Sequence, residues 1–167
     1  AKLLEETKLL SNEQNDFVHI ISAQSNLLLN LINDVLDISK IQSEDFTLVK
    51  FPFDLKVATE RIIQASKFNA AQKNINFLFH FDDLIATDVL GDELRYSQVL
   101  TNIINNAIKF TSQGNVTCTF KNRSTTNNSQ NILIKVEDTG IGIDEDKIAQ
   151  IFERFKQEDD SISRTYG

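Results

Sequence analysis

The sequence predicts an α+β protein, in which one long helix precedes an α/β sandwich made of a mixed sheet packed on helices. Apolar residues recur at helical spacing from Phe17 to Ile38, which indicates a long amphipathic helix. Further along the chain, helical periodicity alternates with short runs that are rich in β-branched residues, as in Val116–Phe120. The length of 167 residues is enough for one full domain and one smaller element.

Composition excludes several classes of protein. The chain is 41% hydrophobic and 25% charged, and its net charge of −7 argues against a nucleic-acid partner, because binding nucleic acid requires a basic surface. The single cysteine, Cys118, rules out a disulfide within the chain and is interpreted as a small core residue. No apolar run approaches the roughly 20 residues needed to cross a bilayer, so we expect no membrane contact from this segment.

The first helix is predicted to begin at a capping box, with Ser11 as the N-cap and Gln14 at the third helical position. Its apolar residues form a seam that follows steps of four and three and is interrupted by one polar residue: Phe17, Ile21, Gln24, Leu28, Leu31, Val35 and Ile38. One helix cannot bury such a seam alone, so an antiparallel helix, a second subunit or both must cover it. We therefore expect homodimers through residues 1–40.

The next segment, Ile41–Asp54, contains polar residues and the only proline of the chain, Pro52, and is interpreted as a connector. Asp54 is a plausible N-cap for a second helix that runs to about Gln72. A strand is predicted at Ile75–Phe81, with a short extended piece around Val89.

Two further strands are predicted at residues 115–121 and 130–137, joined as a hairpin by a polar loop from Asn122 to Gln130. His19 lies on the first helix and His80 lies on the strand face opposite the phenylalanines, and both are interpreted as structural. The sequence contains no His, Cys or Asp cluster with the spacing of metal ligands.

Residues 91–111 carry the first chemical signal. When they are placed on a helix at about 100° per residue, Asn102, Asn106 and Lys109 share one narrow stripe, with Gln98 beside it. The opposite face is apolar, and its members are Leu100, Ile103, Ile104, Ala107 and Ile108. Gly114 is expected to end the helix. Taken alone, an asparagine pair on a helix usually marks a solvated face.

The second signal is the run from Asp138 to Gly142, where an apolar strand ends in an acid that is followed by two glycines. Such a run is typical of a tight turn at which backbone can approach a ligand closely. By itself, this pattern is also compatible with an ordinary turn. The order of the two signals, together with the apolar face behind the asparagines, favours a ligand site.

The stretches N-N-A-I-K-F-T and D-T-G-I-G-I resemble the N box and the G1 box of the histidine-kinase ATP-binding domain, within the wider family that includes gyrase and the heat-shock chaperone ATPases. Residues 151–157 resemble the F box of that family, and residues from about Leu10 onward resemble its dimerisation hairpin. The resemblance therefore extends over nearly the whole chain.

The resemblance implies three parts. Residues 1–41 would form part of the dimerisation and histidine-phosphotransfer hairpin, namely its second helix, and residues 42–54 would form a linker. Residues 55–167 would be the catalytic ATP-binding domain, truncated at the ATP lid and the G2 box. The phosphoacceptor histidine is expected upstream of Ala1, because the residues around His19 lack the acceptor context. We therefore expect this chain alone to be inactive.

The resemblance also assigns site residues. Asp138 would accept a hydrogen bond from the adenine amine, with Gly140 and Gly142 leaving room for the ring. Asn106 would bind the Mg²⁺ that bridges the phosphates. Asn102 and Lys109 would position and neutralise the phosphates as the catalytic pair. In the lid region, Phe152 and Phe155 would complete the nucleotide site.

The implied function is that of a sensor histidine kinase, either hybrid or not, which binds Mg-ATP and transfers the γ-phosphate to a histidine. A response-regulator receiver domain would then accept the phosphate on an aspartate, in a phosphorelay. The segment would be cytoplasmic, within a parent protein that is either free or membrane-anchored. The alternative is a non-enzymatic dimerisation and nucleotide-binding module, either a pseudokinase or an incomplete fragment. A chaperone- or gyrase-type ATPase is disfavoured, because those carry an acid at the position of Asn102.

Overall fold

The structure, a computed structural model, describes residues 11–42, 46–145 and 148. The chain divides into two units, residues 1–47 and residues 48–167. None of the helices in the described part of the chain is long and apolar enough to span a membrane.

Among its described residues, the first unit forms the helix α1 (Asn12–Gln42), of 31 residues. Both hydrogen bonds of its predicted capping box are present. Ser11 Oγ accepts the N–H of Gln14 at 3.3 Å, and Gln14 Oε1 accepts the N–H of Ser11 at 2.9 Å. The two hydrogen bonds satisfy donors that the first helical turn leaves without partners, and they fix where α1 begins.

Four residues of the apolar seam of α1 are exposed to solvent in the single chain. Phe17, Ile21, Leu28 and Val35 are between 55% and 58% exposed. Such exposure of large apolar side chains along one helix is what an uncovered interface presents. The homodimer through this helix remains a prediction.

In the second unit, the residues up to 145 combine two helices with two sheets. In chain order its elements are β1 (Phe51–Asp54), α2 (Leu55–Gln72), β2 (Ile75–Phe81), β3 (Asp88–Gly91), α3 (Glu93–Phe110), β4 (Gly114–Thr125) and β5 (Gln130–Asp138). The three-stranded sheet has the order β2-β4-β5, with β2 parallel to β4 and β4 antiparallel to β5. The predicted α+β class, with helices packed on a mixed sheet, is confirmed.

The core lies between the sheet and the two helices. β4 is the central strand, and its inward residues Val116, Cys118 and Phe120 are at most 1% exposed. Burial raises the pKa of the Cys118 thiol to about 11, so the thiol is protonated at neutral pH and behaves as the predicted small core residue. The other members of the buried core are Leu55, Ile63, Ala70, Ile75, Phe77, Ile85, Leu100, Ile104, Ala107 and Ile108.

A two-stranded antiparallel ribbon, β1 with β3, sets where both helices begin. β1 ends at Asp54, whose Oδ1 accepts the N–H of Val57 at 2.8 Å and caps α2, as predicted. β3 is followed directly by Asp92, whose Oδ1 accepts the N–H of Arg95 at 3.1 Å and caps α3. Each strand of the ribbon therefore leads into a capped helix.

The ribbon corrects one interpretation of the sequence. Phe51–Pro52–Phe53 was expected to belong to a connector, but these residues form β1, with Pro52 opposite Leu90. β1 pairs on one side only within the described residues, so a proline is tolerated there because an edge strand does not require every N–H.

Two boundaries also differ from expectation. α3 ends at Phe110 rather than at Gly114, because Thr111 is already extended, with φ −97 and ψ 118. β4 continues to Thr125, past an irregularity in its pairing with β5 between Asn122 and Ser124. The loop between the two strands is therefore shorter than expected.

Ile103 was predicted to lie on the buried apolar face of α3, but it is 48% exposed. It lies beside an apolar groove of about 450 Å³, whose wall also includes Val99, Ile134 and Val136.

Candidate functional site

The stripe formed by Asn102, Asn106 and Lys109, here called the Asn stripe, lies on the outer side of α3. Both asparagines are exposed, and Lys109 is partly buried, with Nζ 5.6 Å from the centroid of the Phe110 ring. Neither asparagine side chain makes a hydrogen bond within the described part of the chain. Because the opposite face of α3 is buried in the core, the stripe is presented on a fixed support.

The second stretch, Asp138–Gly142, is here called the Asp138 turn, and it leaves the end of β5. Asp138 Oδ1 accepts the N–H of Gly140 at 2.9 Å, which closes a short side-chain turn. Oδ2 makes no hydrogen bond to the described residues, and the side chain is exposed. One carboxylate oxygen therefore holds the turn while the other is available to a ligand.

The Asp138 turn is seated on the last turn of α3. The Ile141 N–H donates to the Phe110 carbonyl at 3.4 Å. A Cβ placed on Gly140 would overlap the Phe110 carbonyl oxygen and come within 2.8 Å of the Phe110 carbonyl carbon. Glycine is therefore required at position 140, because the two backbones approach too closely for any side chain.

Thr139 provides a second anchor for the turn, which was not predicted. Its N–H donates to the Asn115 carbonyl at 3.1 Å, and its Oγ1 accepts the Asn115 N–H at 3.0 Å. The Asp138 turn is thus tied to the beginning of β4 as well as to the end of α3. No sequence signal could have identified this role, because a threonine next to a glycine is common in ordinary turns.

These contacts bring the two predicted stretches together. Asn106 precedes Phe110 by four residues, or about 6 Å along the helix axis, so the Asn stripe leads directly to the Asp138 turn. Gly142 has φ +71 and open space around a hypothetical Cβ, so its backbone conformation, rather than crowding, favours glycine there. Phe152 and Phe155, the remaining candidates, lie outside the described residues.

A metal at this position would have to be held mainly by its ligand. Among residues 11–42, 46–145 and 148, no group of three or more His, Cys, Asp or Glu side chains could hold a metal ion. Mg²⁺ prefers oxygen ligands and keeps several waters, so it commonly takes only one or two protein oxygens beside phosphates. The exposed amide oxygen of Asn106 fits that requirement.

Two family models match the chain. Residues 1–44 match the His Kinase A (phospho-acceptor) domain, and residues 91–167 match the histidine kinase-, DNA gyrase B-, and HSP90-like ATPase family. Signal transduction histidine-protein kinase BarA of Escherichia coli (strain K12) is 35% identical over 158 residues. The chain belongs to the histidine kinase family. Both parts expected from the resemblance, dimerisation hairpin and ATPase, are represented in these matches.

Other relatives of this histidine kinase chain extend over its full length. Hybrid signal transduction histidine kinase A of Dictyostelium discoideum is 38% identical over 173 residues and matches 100% of the chain. The crystal structure of full-length ShkA in complex with AMPPNP superimposes with a TM-score of 0.71 and 33% identity over 93% of the chain.

The chain corresponds to a small part of each of these proteins. The match to BarA covers 95% of the chain but only 17% of BarA. The match to the Dictyostelium kinase covers 8% of that protein. It covers 32% of the ShkA chain.

Proposed function

We propose that this chain is the dimerisation and ATP-binding part of a sensor histidine kinase, which binds Mg-ATP and directs the γ-phosphate to a histidine for relay to a receiver aspartate. The observation that carries the proposal is the seating of the Asp138 turn on the last turn of α3, at the end of the Asn stripe. This contact joins an acceptor suited to adenine to donors suited to phosphates. The AMPPNP complex named for ShkA supports a nucleotide of this class.

The adenine end of the site would be the Asp138 turn. An ionised carboxylate only accepts hydrogen bonds, so the free Oδ2 of Asp138 would take the exocyclic amine of adenine. The same oxygen would repel the carbonyl oxygen of guanine, which gives a preference for ATP over GTP. Because Oδ1 is held by the Gly140 N–H, the carboxylate is oriented before the ligand arrives.

The phosphate end would be the Asn stripe. Asn106 would give its amide oxygen to Mg²⁺, which neutralises phosphate charge when bound. Lys109 would add a positive charge near the phosphate chain, and Asn102 would orient phosphate oxygens or metal waters from one turn earlier. Phosphoryl transfer depends chiefly on such positioning and charge neutralisation.

Asn102 also bears on which nucleophile receives the phosphate. A carboxylate at this position could accept a proton from water and promote hydrolysis, whereas a neutral amide is not a useful base. The Asn stripe therefore holds ATP without activating water, which suits transfer to a histidine. The relatives are named as kinases, which favours this function over a non-enzymatic nucleotide-binding module.

The proposal predicts that Asp138→Asn in the full-length protein weakens ATP binding by about 1.5–3 kcal/mol, roughly 10- to 150-fold, because a charge-assisted hydrogen bond is lost. Calorimetric titration with a non-hydrolysable ATP analogue and Mg²⁺ measures the change. Glu137→Gln is the matched control, since it makes the same change at the adjacent residue, which pairs with Lys135. ATP affinity that is equal in both variants would remove Asp138 from the site.

The proposed homodimer has its own test in α1. Leu28→Glu places a charge in the apolar seam and is expected to raise the dimer dissociation constant at least about tenfold, because burying an unpaired charge is unfavourable. Ala23→Glu introduces the same charge at an exposed position off the seam, about 140° around α1 from Leu28, and should have little effect. Sedimentation equilibrium over a range of concentrations distinguishes the outcomes, and a wild-type chain that stays monomeric throughout contradicts the proposal.

A further inference from the structure

Asp92 makes one more bond than a helix cap requires. Its Oδ1 accepts the N–H of Arg95 and caps α3, while its Oδ2 accepts the N–H of Val49 at 3.0 Å. Val49 is 43 residues earlier in the chain, in the segment that leads into β1. The carboxylate therefore joins the first turn of α3 to the beginning of the second unit.

The hydrogen bond between Val49 and Asp92 lies just beyond the end of the β1–β3 ribbon. The last backbone pair between β1 and β3 is Phe51 with Gly91, and beyond it the chain at Asp92 has already turned into the helix. The side chain of Asp92 thus supplies an acceptor where the strand can no longer do so. The N–H groups of Arg95 and Val49, in that order, hold the pKa of Asp92 below its usual range, so the acceptor stays ionised at neutral pH.

The beginning of α3 is held from a second direction as well. Arg61 of α2 pairs with Glu93 at 2.9 Å, although both side chains are well exposed. An exposed pair of this kind contributes little free energy, so the bonds of Asp92 are the stronger restraint. α3 then carries the Asn stripe as one rigid body.

Asp92 is too far from the ligand to act on it directly. Fourteen residues separate it from Asn106, which at 1.5 Å per residue is about 21 Å along α3. Any effect on nucleotide binding must therefore pass through the orientation of the helix.

We propose that Asp92 is a positioning residue that couples residues 48–50 to the nucleotide site, by holding α3 where the Asn stripe and the Asp138 turn face the same ligand. The inference rests on the proposed function. When the leading segment is drawn away, the bond to Val49 opens while the cap on Arg95 remains. A smaller fraction of molecules then has α3 in the binding orientation, and the apparent ATP affinity falls in proportion to that fraction.

Two variants remove this bond from opposite sides. Val49→Pro deletes the donor N–H and leaves the cap intact, whereas Val49→Ala keeps the N–H and serves as its control. Asp92→Asn retains an N-cap oxygen for Arg95 but presents a donor, rather than an acceptor, toward Val49. In ATP-dependent autophosphorylation by the full-length protein, we expect KM for ATP to rise about three- to tenfold in Val49→Pro and in Asp92→Asn. At saturating ATP, kcat should stay within about twofold of wild type.

The double variant provides the decisive comparison. If both changes break one bond, KM in the double variant equals KM in either single variant, whereas multiplying effects would overturn the proposal. The proposal also fails if Val49→Pro matches Val49→Ala, or if kcat falls while KM is unchanged. Should Val49→Pro fail to fold in a thermal melt, Asp92→Asn against wild type decides alone. A wild-type protein that neither binds ATP nor is phosphorylated would instead contradict the proposed function.

Discussion

Asn106→Asp in the full-length protein is expected to lower the rate of ATP-dependent histidine phosphorylation by about 10²–10³-fold. The substitution adds a negative charge next to the proposed triphosphate position and removes an amide donor. The repulsion is effective because α3 is fixed by its buried face, so the new carboxylate cannot move away together with the helix. Incorporation of labelled γ-phosphate into acid-labile phosphohistidine measures the loss.

The chain contains a closely matched control for this change. Asn105 is the neighbouring asparagine, also exposed, but it lies off the Asn stripe, beside a groove between α2 and α3. Asn105→Asp alters net charge and helix propensity in the same way, and should leave phosphorylation within about twofold of wild type. Equal losses in the two variants would indicate a general effect of charge on α3 and would exclude a specific role for Asn106.

Gly140→Ala is expected to reduce ATP affinity on the order of 100-fold. A methyl group there overlaps the Phe110 carbonyl oxygen, so the Asp138 turn must lift from α3. Overpacking against backbone costs up to about 3 kcal/mol, because neither the helix end nor the strand end can yield easily. Titration with a non-hydrolysable ATP analogue measures the affinity, and circular dichroism verifies that the fold is retained.

Gly142→Ala separates crowding from backbone strain. Its Cβ would meet no atom within 4 Å, but φ is +71, so the change costs roughly 1–2 kcal/mol of left-handed strain with no overlap. We expect a smaller loss of affinity than for Gly140→Ala. If the order of the two effects is reversed, the seating of the turn on Phe110 is not what organises the site.

Helix beginnings were the part of the fold most accessible from the sequence. Ser11 and Asp54 were both identified as N-caps, and each accepts the expected backbone N–H. Capping is local chemistry within four residues, so it can be recognised without knowledge of the tertiary structure. The same reason accounts for the agreement on α2 and on β2, whose patterns are strong and short in range.

Features that depend on distant partners were not predictable. β1 contains Pro52 and looked like a connector, and only its pairing with β3, more than thirty residues later, makes it a strand. The extension of the hairpin to Thr125 follows from the pairing partner as well, because the polar residues after Lys121 do not alternate. The exposure of Ile103 depends on which surfaces pack against α3, and helical spacing does not contain that information.

In the candidate site too, local features could be predicted and features that depend on distant partners could not. The Asn stripe follows from helical periodicity, so the arrangement of Asn102, Asn106 and Lys109 on α3 could be predicted. The seat of the Asp138 turn could not, because it is made by the carbonyl of Phe110, a backbone atom that no residue type reveals. The bond from Val49 to Asp92 is similar, since its donor is also backbone.

The order of pairing in the sheet determines when the site can exist during folding. β4 and β5 are neighbours in the chain and form a local hairpin, whereas β2 pairs with β4 across the whole of β3 and α3. Closing that longer loop restricts the chain before the parallel contacts repay the lost entropy, so it is the slower step. The Asp138 turn is attached to the hairpin, but Phe110 reaches its position only when α3 packs on the sheet. A molecule halted after hairpin formation would thus have the β4–β5 hydrogen bonds but no place for a nucleotide.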